Sequence, residues 1–259
     1  MTAGARLYEP AEAPGPLWRV DEARTLFVGP LDRNAAHEHG APVFLSSLDA
    51  PFGLKLGDGP WFACEAAIIP AGCVHELDIG GEPIAVLYVE PTAAGAEAFL
   101  PLLRGAEARD GAVVGRSGCK RLMREFHEDP ASALWAGTAL DDMIGFGAAR
   151  APRDLDPRVA LTARAIERSE DALSLAEVAR MADLSASRLQ HLFTEDVGVS
   201  FRRYRAWTRM RRAIREIVAG ENFTRAAHAA GFCDQPHFAH DFRRTFGAPA
   251  SRSLTGVRR

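Results

Sequence analysis

Cysteine is scarce and scattered in this 259-residue chain, with four residues at Cys64, Cys73, Cys119 and Cys233. None forms a C-x-x-C pair, which argues against a disulfide scaffold or a cysteine-built zinc module. Lysine is nearly missing too: Lys55 and Lys120 are the only two, so almost every positive charge is an arginine. No stretch approaches ~18 consecutive apolar residues, which excludes a membrane-spanning helix. The opening residues lack a basic region followed by a long apolar run and a small-residue cleavage site, so the cytoplasm is the expected compartment.

The charge is unevenly divided. A net charge of −3 hides an acidic first part and a basic second part. Residues 1–150 carry 12 basic and 21 acidic side chains, a net of −9; residues 151–259 carry 19 and 13, a net of +6, and all 19 are arginine. Such a split points to a nucleic-acid-binding half joined to a half with another task.

From about Val20 to Glu90, short apolar runs such as Phe52-Gly-Leu-Lys-Leu and Ile84-Ala-Val-Leu-Tyr-Val are broken by Gly, Pro and Asp. They read as strands of a sandwich or barrel, with Gly80-Gly81 as a hairpin turn. Beyond Pro91, residues 93–109, 120–127 and 131–146 have helical periodicity and predict a helical layer, packed on the sheet or offered to a second subunit. The proline-bearing stretch 151–157 predicts a linker, so a cut near Arg153 is expected to separate the two halves. The expected organisation is α+β and two-domain: a β-barrel over 1–90, a helical layer over 91–150, the linker over 151–157, and an all-α domain over 158–259.

The second half reads as a run of capped helices. Asp156 caps with Pro157 at the first helical position, and Ser174-Leu-Ala-Glu177 is a capping box. Ser185 opens a helix with Leu189, Leu192 and Phe193 inward. Phe201, Tyr204, Trp207, Ile214, Ile217 and Val218 outline a helix of about 20 residues stopped by Gly220. Thr224 opens another, and Asp234 caps the last strong helix, with Phe238, Phe242 and Phe246 toward the core.

Within this run one helix-turn-helix pattern occurs twice, 49 residues apart. The offset pairs Ala182 with Gly231, Ser185 with Asp234, Leu189 with Phe238, Phe193 with Phe242 and Gly198 with Gly247. A recognition helix gives its apolar positions to the core and the rest to a DNA groove. The remainder is Ala186, Ser187, Arg188, Gln190, His191 and Thr194 in the first copy, and Gln235, His237, Ala239, His240 and Arg243 in the second. Gln, Arg and His near a helix start suit base edges and phosphates. A connecting helix of about 20 residues is roughly 30 Å long, close to the ~34 Å between successive major grooves. Arginines on that helix, Arg205 and Arg209 among them, are expected at phosphates or in ion pairs.

Over roughly 158–254 the chain resembles the AraC-type transcription regulators. The resemblance rests on Leu175-Ala-Glu-Val-Ala, Leu184-Ser-Ala-Ser-Arg-Leu, Phe193, Gly198, Ala229-Ala-Gly-Phe-Cys-Asp-Gln, His237-Phe-Ala, Phe242-Arg-Arg and Phe246-Gly-Ala-Pro. It implies a tandem helix-turn-helix domain whose base-reading positions are Ser187, Gln190 and His191, then Gln235, Pro236, Ala239 and His240. The chain departs from the family by carrying His191 and His240 where arginine is frequent. The implied partners are double-stranded DNA, a small-molecule effector, a second copy of the chain and, for an activator, RNA polymerase. Activator and repressor are not distinguished.

In the first half, His37-Glu-His39 followed by Pro70-Ala-Gly-Cys-Val-His75 is similar to a degraded cupin signature, which implies a cupin-like barrel. Metal-binding cupins surround one ion with such an H-x-H pair, a later His and usually a carboxylate, a donor set that suits zinc, iron, manganese or nickel. No carboxylate follows His39 at the usual spacing. The expectation is therefore no cofactor and no catalysis, with His37, His39 and His75 around one divalent metal as the alternative. The effector is expected in a pocket bounded by Phe44, Phe52, Trp61, Phe62, His75 and Tyr88. Rival readings are a metal-dependent cupin enzyme fused to a DNA-binding domain, and an alkyl-acceptor repair fusion. The cysteine spacings argue against the second. Cys64 and Cys73 read as buried thiols, or alternatively as a thiol sensor.

Overall fold

Short apolar runs become strands because each can bury one or both faces. The computed structural model describes residues 15–151, 154–169 and 173–258. The strands are β1 (Leu17–Val20), β2 (Arg24–Pro30), β3 (Arg33–His37), β4 (Val43–Ser47), β5 (Phe52–Leu56), β6 (Phe62–Cys64), β7 (Ala66–Ile69), β8 (His75–Asp78), β9 (Pro83–Val89), β10 (Leu103–Arg109) and β11 (Ala112–Ser117). They form a seven-stranded antiparallel sheet in the order β1-β2-β9-β4-β7-β11-β10 and a four-stranded sheet in the order β3-β8-β5-β6. Phe27, Leu45, Val86 and Tyr88 face the smaller sheet. Leu26, Val28, Phe44, Leu87 and Val89 face the other way, onto a 3-10 turn at Ala96–Leu102 and the helices α1 (Lys120–Glu128) and α2 (Ser132–Arg150). The larger sheet is thus covered on both faces, which is why β9 is an unbroken apolar run.

Three expectations need correction here. The two sheets have free edge strands and do not close into a barrel. Residues 93–109 are not all helix: Leu103–Arg109 is an edge strand, turned back on β11 by Asp110 (φ 46°) and Gly111 (φ 84°). A two-residue Asp-Gly loop with positive φ at both positions matches the twist of a hairpin. Gly80-Gly81 is no hairpin turn, because β8 and β9 belong to different sheets and the chain crosses between layers there.

The second half is helical: α3 (Pro157–Arg168), α4 (Leu175–Met181), α5 (Ala186–Val197), α6 (Phe201–Ala219), α7 (Phe223–Ala229), α8 (Gln235–Phe246) and α9 (Ser251–Leu254). Its starts follow local chemistry. The Asp156 carboxylate accepts from the Arg158 amide with Pro157 at the first position, and Ser174 and Glu177 form both bonds of a capping box. Asn222 rather than Thr224 caps α7, since its side-chain oxygen reaches the Arg225 amide at 2.9 Å. α5, α6 and α8 end on left-handed Gly198, Gly220 and Gly247.

Arg153, the expected cutting point, lies outside the described residues. The halves it was expected to separate share one core. Trp207 Nε1 donates to Glu90 Oε1 at 2.9 Å. Arg211 Nε lies 3.1 Å from the same carboxylate oxygen and donates to Thr25 Oγ1 at 2.9 Å. Trp18 Nε1 donates to the Ser253 carbonyl at 2.8 Å, and Arg258 donates to the Asp129 and Phe126 carbonyls. Glu90 and Arg211 are buried. Burial pushes the Glu90 carboxyl up, and Arg211 and Trp207 pull it back. The linker composition is real, but the surfaces on either side of it are apolar and pack together.

Candidate DNA interface and histidine cluster

Each candidate reading helix is held by its own start. The Ser185 hydroxyl accepts from the Arg188 amide at 3.2 Å, and the Asp234 carboxylate accepts from the His237 amide at 2.7 Å. These bonds satisfy donors that a helix start leaves unpaired. With Leu189, Leu192 and Phe193 buried, Ser187, Arg188, Gln190 and His191 stand exposed on α5. With Phe238 and Phe242 buried, Gln235, Pro236, Ala239, His240 and Arg243 stand exposed on α8. Among the described residues, the side chains of Ser187, Gln190, His191, His240 and Arg243 have no intramolecular hydrogen bond assigned. Gln235 Oε1 accepts from Thr224 Oγ1 at 3.0 Å.

The two units are less identical than the 49-residue offset suggests. The second helices do repeat at 49, but α4 and α7, and their caps Ser174 and Asn222, repeat at 48. The left-handed residues of the two turns are Asp183 (φ 53°) and Gly231 (φ 79°), so Gly231 corresponds to Asp183 and not to Ala182. The second turn holds one extra residue.

His237 is placed differently from its neighbours. It is half-buried, edge-on to Phe232 at 5.2 Å, with Nε2 3.6 Å from Asp241. Arg209 pairs with the same Asp241 at 2.8 Å and lies over Phe232 at 4.2 Å. Arg205 donates to the Leu173 carbonyl at 2.9 Å. These three residues brace α6 and α8 within the protein. Around them, Arg202, Arg203, Arg205 and Arg209 line a cleft of about 470 Å³ between α3, α6, α8 and the Glu38–Gly40 segment.

The expected effector pocket does not assemble. Phe44 lies on the opposite face of the large sheet, against Phe99 at 5.9 Å. Trp61 is 41% exposed, and Phe62 sits under the Arg109 guanidinium at 3.6 Å. Phe52, His75 and Tyr88 are buried. Between the sheets there remains a cavity of only about 30 Å³, beside His37, His39, Tyr88 and Phe246.

His37, His39 and His75 do come together, with one ring nitrogen from each within 4.8 Å of the others. His37 and His75 are register partners across β3 and β8, and His39, two residues on, falls on the same side. The ring centroids of His37 and His75 are 4.3 Å apart. The Nδ1 of His37 bonds the Ala35 carbonyl at 2.7 Å and that of His75 the Cys73 carbonyl at 2.9 Å. Tyr88 Oη lies 3.2 Å from His39 Nε2. His39 Nδ1 and His75 Nε2 are buried with no partner, and each unmet polar atom costs roughly 1–3 kcal/mol. Burial, with His75 nearby, pulls His37 down to about 3; burial alone takes His75 down to about 4, against the opposing Cys73 carbonyl. Burial and its two neighbours hold His39 well below the usual imidazole value. All three are neutral at neutral pH.

Residues 178–255 match the family model described as a helix-turn-helix domain. The matched segment is a helix-turn-helix domain. The whole chain is similar in fold to ToxT from Vibrio cholerae O395, at 12% identity and TM-score 0.58, covering 91% of this chain and 98% of that one. It is similar also to ToxT from strain SCE256 with a bound unsaturated fatty acid, at 13% identity and TM-score 0.55, covering 93% and 99%. No match was found among curated proteins. No helix among the described residues is long and apolar enough to cross a membrane.

Proposed function

We propose that the chain is a sequence-specific DNA-binding transcription regulator in which α5 and α8 enter successive major grooves. The observation that carries this reading is the pair of capped, polar-faced helices held by the single helix α6. At 19 residues, α6 is roughly 28 Å long, near one turn of B-DNA. On this reading Ser187, Gln190 and His191 contact one groove, and Gln235, Pro236, Ala239 and His240 the other. Arg188 and Arg243 take phosphates. The two open sheets are a cupin-like sandwich, and the helix pairs α4–α5 and α7–α8 are tandem units. No bond chemistry is needed.

The effector is a small molecule with an anionic group, held in the arginine-lined cleft rather than between the sheets. The cleft volume and Arg202, which has no ion pair among the described residues, support this, as does the fatty acid bound by ToxT. A ligand there touches α3, α6 and α8 at once and so favours one arrangement of the reading helices over another. A second copy of the chain docks through α2, where Leu134 and Phe146 are exposed; sedimentation of the full chain as a monomer at tens of micromolar would remove that part. Selection of bound sequences from random duplex DNA tests the core reading. A recurring site with two specified blocks about 10 base pairs apart is expected. Enrichment of no sequence contradicts it.

A further inference from the structure

His37, His39 and His75 sit together at the seam between the halves, where the His39 ring packs near Trp207 and Phe246 of the helical half. We infer that they form a three-histidine site for a divalent transition cation of the zinc class, placed so that its occupation is felt by α8. The missing carboxylate, which argues against a metal in the sequence, is outweighed by the arrangement of the rings. In metal sites each ligating imidazole gives its second nitrogen to a carbonyl or hydroxyl, which fixes the tautomer and aims the lone pair. Here His37 and His75 give Nδ1 to the Ala35 and Cys73 carbonyls, and His39 Nε2 lies 3.2 Å from Tyr88 Oη. The remaining nitrogens of His39 and His75 are buried and unpartnered. A core of packed histidines gains nothing from leaving two ring nitrogens buried and unmet, whereas a cation between the three rings would satisfy them. Zn–N bonds of about 2.0–2.1 Å place tetrahedral ligands about 3.4 Å apart, so nitrogens within 4.8 Å of one another need only modest side-chain rotation. The cavity of about 30 Å³ beside His37 and His39 has room for a water as fourth ligand.

The link to α8 runs through one residue. The Ala35 carbonyl orients His37, and the Ala35 amide donates to the Gly247 carbonyl at 2.9 Å. Gly247 is the C-cap of α8, and a Cβ there would fall 2.8 Å from His37 Nδ1. Pulling His37 toward a metal therefore acts on the strand against which α8 ends. This coupling rests on the reading of α8 as a DNA-reading helix; the site itself does not.

The test uses the full chain stripped with a chelator and titrated with Co²⁺, followed by displacement with Zn²⁺. The expected result is one equivalent bound per chain, with the visible absorption of low-coordinate cobalt bleached by zinc. Both are lost in His75→Ala and in His39→Gln, with far-ultraviolet circular dichroism unchanged, and retained in Cys233→Ser. Absence of saturable binding, or binding that survives both histidine variants, overturns the site. If both variants misfold, cobalt-induced shifts of the histidine ring signals in the native chain decide instead, and no shift overturns the site. Zinc is expected to change affinity for a selected duplex by about fivefold or more, within the usual range of coupling between sites. One equivalent bound with unchanged DNA affinity overturns the coupling and leaves the site standing.

Discussion

Gln190 and Arg209 illustrate how two polar residues that look alike in a sequence differ in the fold. Gln190 is exposed on α5 with no side-chain partner assigned, free to make paired hydrogen bonds with an adenine edge. Gln190→Ala is therefore expected to relax preference at one or two base pairs by about 1–3 kcal/mol, while leaving affinity for other sequences unchanged. Competition against single-base variants of a selected site measures this. Arg209 is spent on Asp241 and Phe232, so Arg209→Ala is expected to lower stability rather than remove a phosphate contact. Breaking the pair leaves Asp241, itself buried, without its nearest cation. The checks are a lower urea midpoint and an unchanged slope of log affinity against log salt. The sequence shows which residues are polar and on the outer face of a helix. It does not show that His237, Arg205 and Arg209 find partners inside the protein, because those partners lie on other elements.

Among elements, the ones specified by neighbouring residues were the legible ones. Capping at Asp156, Ser174, Ser185 and Asp234 needs only a side chain and an amide within three positions, and the stop at Gly220 needs only a residue at ease in the left-handed region. Asp110-Gly111 is a signal of the same local kind, masked by the helical spacing of the apolar residues before it, Phe99, Leu102 and Leu103. What the sequence could not supply was pairing. Phe44 and Leu45 face opposite layers because strand parity flips with each residue, and nothing local says which face carries a pocket. The convergence of His37 with His75 depends on the register of β3 against β8, although the H-x-H spacing already placed His37 and His39 on one side. Element-scale chemistry also predicts a cost at the end of α8. Gly247 has φ 72° and lies against Ala35 and His37, so Gly247→Ala adds both a left-handed strain and a clash. A loss of more than about 1 kcal/mol is expected, read as a fall in the urea midpoint. Gly80→Ala, at positive φ but with open space around it, is expected to cost less.

For the whole molecule, the two halves act as one body because Glu90, Arg211 and Trp207 tie the end of β9 to α6 inside a buried seam. Removing one partner of a buried ion pair leaves an uncompensated charge, typically at a cost of 3–5 kcal/mol. Arg211→Ala is expected near that range, and the double variant Arg211→Met with Glu90→Leu to recover much of it, both measured by urea unfolding. A fragment beginning after residue 153 would expose Tyr204, Trp207 and Phe246, and is expected to aggregate rather than bind DNA as a free domain. The same seam carries the histidine cluster and adjoins the arginine-lined cleft. A ligand bound there can therefore alter the presentation of α5 and α8 without crossing a flexible linker. The central claim is that these two helices read two grooves from one rigid frame. Competition binding of the full chain on a selected duplex, with Gln190→Ala and His240→Ala compared over all single-base variants, tests it most directly. The account predicts two separate blocks of relaxed specificity, one for each substitution, centred about 10 base pairs apart. Uniform weakening on every sequence by both substitutions, or relaxation by both at the same base pairs, would contradict it.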